Sequence, residues 1–325
     1  MQLVKEPGTK LIFRKEEFEI TYHYYLCEDS KEQFTSDELD SINQVQVQNL
    51  YREKYGIPFT EEIKEIRKKY NVSASKMAEI LGMGANAYRL YEEGEIPSVS
   101  NGRLILAIKD PRDFIKQVQA SSHLLDEKET VKFINSATQL IESNKKNQWS
   151  ILFTKYVFHF DRPNQYNGYT VPDVNKIAQI IYYFTQKNEL FRTKLNKLLF
   201  YTDFIMFSRT GHSMTGICYR AIQKGPVPSA YQILYAKLCE DGLISTKSIP
   251  IGDEAFDAIV GELKFDEHTF SNLEIKVLEE ISDRFLKIKT KDLVEISHNE
   301  SAWIQNIEKK TIISYQQFAF DLKAV

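Results

Sequence analysis

SASKMAEILGMGANAYRLYEEG, residues Ser73–Gly94, is the stretch from which the organisation of the chain is read. Ser73 is a residue type that caps helix N-termini, and Met77, Ile80 and Leu81 fall on one face at helical spacing. Gly82-Met83-Gly84 marks a tight turn, because Gly82 allows a backbone conformation that other residues avoid. A second helix is expected from Ala85 to Glu92, ended by Gly94. Ala78 is small where the two helices cross, and Ile80, Leu81, Tyr88 and Tyr91 pin the second onto the first. Ala85, Asn86 and Arg89 are left on the outer side. Two short helices with the first turn of the second held free is the arrangement that enters a DNA major groove. A helical hairpin used only for packing carries the same kind of turn.

Outward from this stretch, the spacing predicts five short helices over residues 60–119. Thr60 is expected to cap the first, with Ile63, Ile66 and Tyr70 inward. Ser98 or Ser100 starts the fourth, and Asp110-Pro111 the fifth. Upstream, residues 10–26 read as two short strands. Ser36 then starts a helix with Asp37 and Glu38 in its first turn, broken at Gly56-Ile57-Pro58. Downstream, residues 120–150 read as a polar helix with a thin stripe of Val131, Ile134, Leu140 and Ile141, suited to a connector or a dimer contact. A turn-rich segment, residues 161–168, marks the main boundary. Beyond it Asp173 caps a helix, residues 191–208 form an apolar helix, and Gly225-Pro226-Val227-Pro228 reads as a rigid turn. A helix over 229–241 ends at Gly242, short strands surround Leu243–Ile249, and Ser271/Glu274 and Ser297/Glu300 read as capping boxes. The expected fold class is mainly α with small β elements (α+β), in segments 1–55, 56–120, 121–165 and 166–325.

With 325 residues, two or three domains are expected. No apolar run approaches the ~18 residues of a membrane span. The first residues lack the apolar stretch of a signal peptide, and the three cysteines are few, odd in number and far apart. A cytoplasmic protein is expected. The net charge is −3, but residues 51–120 carry 12 Lys and Arg against 10 Asp and Glu. A surplus of two neutralises few phosphates. Tight DNA binding would therefore need two copies, and a homodimer is expected.

The stretch resembles the Xre/Cro-type helix-turn-helix, especially the form in MqsA-like antitoxins. Tyr51-Arg52, Gly56-Ile57, Glu62-Ile63, Arg67, Ser73, Ala78, Leu81-Gly82, Tyr91-Glu92 and Gly94 carry the resemblance. It implies a five-helix, lambda-repressor-like domain that binds double-stranded operator DNA. Asn86 is the best base reader, since Asn can bond adenine N6 and N7 together. Arg89 reaches a guanine or a phosphate, or pairs with Glu92 or Glu93. Ala85 lies beside them, and Ser75 and Lys76 fit phosphate contacts, which position without specifying. Where relatives place a second base-reading Arg, four residues after the Asn, this chain has Leu90. Residues 10–50 resemble the tail of the zinc-binding region in the same antitoxins. Of its cysteine ligands only Cys27 remains, with His23 nearby, and a structural zinc needs four ligands. No metal is expected, only a β-hairpin remnant.

Residues 168–325 resemble the Panacea (SocA-like) antitoxin domain. The matching residues are Thr193–Phe204, Thr215-Gly216, Gly225–Pro228 and Ile296–Trp303. The resemblance implies a mainly helical domain that binds and neutralises a toxin encoded next door, without catalysis or cofactor. Candidate toxin-contacting residues are Lys194, Lys197, Tyr201, Pro226, Val227 and Tyr231. The two lysines would meet an acidic partner, or form a solvated face or a pair with Asp203. The Gly-Pro-Val-Pro segment would dock, or merely join two core elements. Trp303 reads as a core anchor whose Nε1–H needs an internal acceptor. His298, with Glu300 and Asp292, is the one constellation that suggests catalysis, and capping accounts for its neighbours. The sequence therefore reads as a type II antitoxin that also represses its own operon. The alternative is a stand-alone Xre-type transcriptional regulator whose C-terminal domain binds a ligand or a protease adaptor.

Overall fold

A computed structural model describes residues 1–146, 148–186, 190–251 and 254–324. The chain opens with a hairpin, β1 (Gln2–Phe13) and β2 (Glu16–Leu26), longer than the sequence pattern suggests. Its two-residue turn, Arg14-Lys15, has φ of 48° and 69°, the double left-handed geometry that matches strand twist. Neither residue is the Asn or Gly that favours it. Arg14 is held there by donating to the carbonyl oxygens of Ile96 (2.7 Å) and Pro97 (3.1 Å). β3 (Gln33–Phe34) pairs only with the end of β2.

Ser36 starts α1 (Asp37–Tyr55) as expected. Two of its amides replace the missing part of the sheet edge. Asn43 exchanges hydrogen bonds with the His23 N–H and carbonyl at 2.8 and 2.9 Å, and Gln46 does the same for Thr21 at 3.0 and 2.8 Å. Backbone groups that would otherwise be buried without partners are thereby satisfied.

The chain divides into two compact units, one of Lys10–Glu19 and Val47–Phe153, the other of Met1–Thr9, Ile20–Gln46 and Thr154–Val325. The first unit holds α2 (Thr60–Lys69), α3 (Ala74–Ile80), α4 (Ala87–Glu92), α5 (Val99–Ala107), α6 (Pro111–Ala120) and α7 (Glu127–Lys146). The N-cap of α2 is Phe59, not Thr60, because Glu62 reaches back to accept from the Phe59 N–H. The unit is organised around fully buried Tyr70, which stacks on Phe114 with ring centroids 3.8 Å apart and donates to the Ile108 carbonyl. Helix α7, within the segment read as a connector, packs on this unit. Phe133 and Ala137 of α7 join this core, Ile134 and Leu140 of the apolar stripe pack against it, and Val131 of the same stripe is 53% exposed. Phe133 and Ala137 share a face at i and i+4. α8 (Gln148–Phe158) follows.

The second unit contains α9 (Val174–Thr185), β4 (Leu190–Phe191), α10 (Arg192–Thr210), β5 (Tyr219–Ile222), β6 (Gly225–Pro228), α11 (Tyr231–Glu240), β7 (Ile244–Ile251) and β8 (Glu254–Gly261). It ends with α12 (Asn272–Phe285), α13 (Thr290–His298), α14 (Ser301–Ile304) and α15 (Tyr315–Phe318). Its larger sheet has the order β4-β8-β7. Gly225–Pro228 is not a turn but a wholly buried strand, paired residue by residue with β5.

α10 is buried on every side, from Lys194 to Phe207 without a break. A helix buried all round is usually apolar throughout, so each polar residue here needs a partner. Lys194 donates to the Leu286 and Ile288 carbonyls at 2.6 and 2.8 Å. Asn196 accepts from the Tyr235 hydroxyl at 2.6 Å, and Lys197 donates to the Pro226 carbonyl at 2.8 Å. Tyr201 donates to Glu300 at 3.2 Å. Asp203 accepts from the Met214 and Thr215 N–H groups and the Thr215 and Tyr219 hydroxyls, at 2.5–2.9 Å. One helix thus fixes α11, β6 and the loops beside α12 and α13.

The capping box at Ser271 is present. The one expected at Ser297 is not. Ser297 lies in the last turn of α13 and donates to the Val294 carbonyl. Glu300 accepts instead from Tyr201 and from the Lys323 and Ala324 N–H groups.

Two variants test this wiring. Gly225 has φ +89°, and a Cβ there would lie 2.3 Å from Ser297 Oγ and 2.7 Å from Lys197 Cε. Gly225→Ala is expected to cost about 1–3 kcal/mol from overpacking alone, read as a lowered urea midpoint. A midpoint equal to wild type would show that the strand moves away freely. The second variant concerns Lys197, whose ammonium is pushed by burial from 10.5 to about 7. Between these values the folded chain holds fewer protons than the unfolded one, so this residue's contribution to stability rises with pH across that window. In urea unfolding, wild type should gain on Lys197→Met as pH rises from about 7 towards 10.5. A difference that stays flat would refute the buried-amine assignment.

Candidate functional site

The α3–turn–α4 element is shaped by its ends. Ser73 caps α3 by accepting from the Lys76 N–H at 3.2 Å. At the other end Gly82, φ +64°, donates to Glu79 O, and Met83 donates to Ala78 O at 2.8 Å. This is a Schellman cap, which needs a left-handed residue at the Gly82 position. Gly94, φ +117°, closes α4 in the same way, with Glu95 donating to Leu90 O. α4 begins at Ala87 rather than Ala85. Ala87 donates to Gly84 O, which leaves Ala85 and Asn86 in the preceding turn.

Three interactions orient α4. Arg67 of α2 grips Glu92 through Nε (2.6 Å) and Nη2 (3.1 Å), a fork geometry specific to guanidinium and carboxylate. Tyr88, fully buried, donates to the Ile63 carbonyl at 2.9 Å. Arg52, also buried, donates to the carbonyls of Pro58 and Gly94. The outer side that remains carries Ala85, Asn86 and Arg89, all exposed, and Leu90, 39% exposed, one turn after Asn86. Ser75 is exposed at the start of α3.

Arg89 lies 4.0 Å from Glu93, both exposed, and such a contact contributes little. Lys76, expected as a phosphate contact, is part exposed and already ion-paired. Its ammonium is shared between Glu79 (2.8 Å) and Glu129 (3.2 Å), which raise its pKa and offset its charge. The sequence hid this because Glu129 belongs to α7, 53 residues away.

The candidates in the second unit fare differently. Lys194, Lys197, Tyr201 and Pro226 are buried and bonded internally as described, so they offer no surface to a partner, and Val227 is buried but for the edge it shows to a cleft. The lysines do not pair with Asp203 either, because Thr215 and Tyr219 fill that carboxylate. Burial pushes Asp203 up to about 6, against the pull of its four donors. Tyr231 alone stays part exposed.

His298, Glu300 and Asp292 do not converge. His298 ends α13 and stacks on Trp303 at 4.0 Å, Asp292 lies in the first turn of that helix, and Glu300 is turned to Tyr201 and the chain end. Trp303 finds the acceptor it requires in the Ile222 carbonyl, at 2.7 Å. His23 is buried against Phe320, with burial lowering its pKa. Cys27 lies in the turn beyond β2, its thiol lowered to about 7 chiefly by its hydrogen bond with Ser30. Among the described residues no group of three His, Cys, Asp or Glu is placed to hold a metal ion.

Sequence reasoning passed over a concave feature at the start of α10. Two adjoining clefts, of about 570 and 310 Å³, share Arg192, Thr193 and Lys224 at the start of α10. Their only sequence signal is that each cation borders a motif, Arg192 before Thr193–Phe204 and Lys224 before Gly225–Pro228.

No curated protein and no solved structure matches the chain. Residues 195–304 match the family model described as Antitoxin SocA-like, Panacea domain. That span runs from the first turn of α10 to the end of α14 and includes Lys197, Asp203, the β5–β6 pair and Glu300. Over these residues, about a third of the chain, the second unit is similar to the Panacea domain of SocA-like antitoxins.

Proposed function

We propose that this protein is the antitoxin of a toxin–antitoxin pair, binding its toxin through the second unit and operator DNA through the first. The observation that carries the DNA half is the exposure of Ala85, Asn86 and Arg89 at the free end of α4, on an element fixed from behind by Arg67–Glu92 and Tyr88. A rigid support with an open polar end is what base reading requires, since groove contacts must be held in register. On this reading α3–turn–α4 is an Xre-type helix-turn-helix. Asn86 reads adenine, Arg89 a guanine or phosphate, and Ser75 positions the backbone.

The charge balance supports a dimer. With Lys76 offset by two carboxylates, one copy neutralises few phosphates, and two copies on half-sites about 34 Å apart supply the affinity one lacks. The toxin half rests on the Panacea match, and both halves act by binding rather than catalysis. Among the described residues no helix is long and apolar enough to cross a membrane. This is compatible with a cytoplasmic operator as target.

Co-expression with the product of the adjacent reading frame tests the first half: growth should be restored and the two proteins should co-purify. Operator binding tests the second. Asn86→Ala should weaken specific binding by ~1–3 kcal/mol in fluorescence anisotropy, while rescue of growth is unchanged. Loss of both activities together would show that the two roles are not divided between the units as proposed.

A further inference from the structure

The clefts at the start of α10 have the properties of a docking groove. Phe191, Phe256 and Asp257 line the larger one, Val227 and Tyr231 the smaller. Arg192 and Lys224, common to both, are exposed, and among the described residues neither has an ion-pair partner. α10 begins without a side-chain cap, so its dipole adds positive potential at the same place. Beside the larger cleft runs an open strand edge. β8 pairs with β7 along its whole length, but on its other side, among the described residues, β4 pairs only with Ala258 and Ile259. Ala255, Phe256 and Asp257 are left exposed, with Phe256 at 43%.

We propose that this groove receives the partner protein as an extended, carboxylate-bearing segment that adds a strand to β8 at Ala255–Asp257 and sets acidic side chains against Arg192 and Lys224. The inference rests on the antitoxin reading and names the surface and the chemistry of the partner. Strand addition supplies main-chain hydrogen bonds that do not depend on side chains, and flanking pockets supply selectivity. Phe256 and Tyr231 offer the aromatic anchors that concentrate binding energy. Asp257 repels a carboxylate placed over the strand itself, so the acidic side chains belong on the α10 side. The charge pattern therefore selects an acidic segment over a basic one and fixes where its charges lie.

The test uses the full-length protein and the product of the adjacent reading frame. Arg192→Glu with Lys224→Glu should weaken their association at least tenfold and flatten its dependence on salt. Arg192→Gln with Lys224→Gln should give a several-fold loss, and serves where the charge reversal disturbs folding. In the wild-type complex the amide hydrogens of Ala255–Asp257 should exchange more slowly than in the free protein. If the wild type binds and both double variants bind equally well, with protection elsewhere, the groove is not the docking site and the antitoxin reading survives. If the wild type does not bind at all, the antitoxin reading fails and the groove assignment fails with it.

Discussion

The second unit depends on the satisfaction of five polar side chains on a helix that has no solvent-facing side. Had Lys194, Asn196, Lys197, Tyr201 and Asp203 been apolar, α10 could slide or rotate among its neighbours at little cost. With polar groups, any other register leaves buried donors or acceptors unmatched, at about 1–3 kcal/mol for each neutral group and more for charged ones. The lowered Lys197 ammonium and raised Asp203 carboxyl show that ionisation is opposed by burial at both sites. The wiring therefore specifies a single arrangement more than it adds net stability. That is a common outcome for buried charge, whose desolvation offsets much of its attraction.

The first unit solves a different problem with surface-adjacent polar groups. α4 has six residues, too few to be stable as a helix alone. A Schellman cap at Gly94 fixes its C-terminal end, while the Arg67–Glu92 fork and the Tyr88–Ile63 bond fix its rotation. Four of the residues on which the Xre resemblance is read, Arg52, Arg67, Glu92 and Gly94, hold α4 in place. Asn86, Arg89 and Leu90 are the held ones, and no fold requirement constrains their identity.

This contrast explains what was legible from the sequence. Ser73, Gly82, Gly94, Asp110-Pro111, Asp173 and Gly242 act through neighbours in the chain, so helix ends could be placed to within a residue or two. Readings that depend on distant residues fared worse. Gly225–Pro228 looks like a turn because prolines leave a ladder short of donors, yet β5 and the Lys197 amine accommodate it as a buried strand. On α7 the stripe reading found Ile134 and Leu140 but passed over Phe133 and Ala137, which the packing against α6 buries most deeply. Lys76 reads as a free cation until Glu129 arrives from another helix. In the same way Lys194 and Lys197, three residues apart, suggest a solvated face on an ordinary amphipathic helix. α10 has no such face.

A sequence motif that is buried in this way cannot itself be the variable surface that chooses a partner. The Thr193–Phe204 and Gly225–Pro228 segments, by which the Panacea resemblance is recognised, are spent almost entirely on internal bonds. A substitution within them alters the fold before it alters recognition. On the proposed antitoxin reading, discrimination between partners falls to exposed positions outside these motifs. Arg192 precedes one motif by a single residue and Lys224 the other, and both remain exposed where α10 and the β5–β6 pair begin. The rigidity of the core makes these positions usable, because a charge held on fixed backbone loses little freedom when it meets its counterpart.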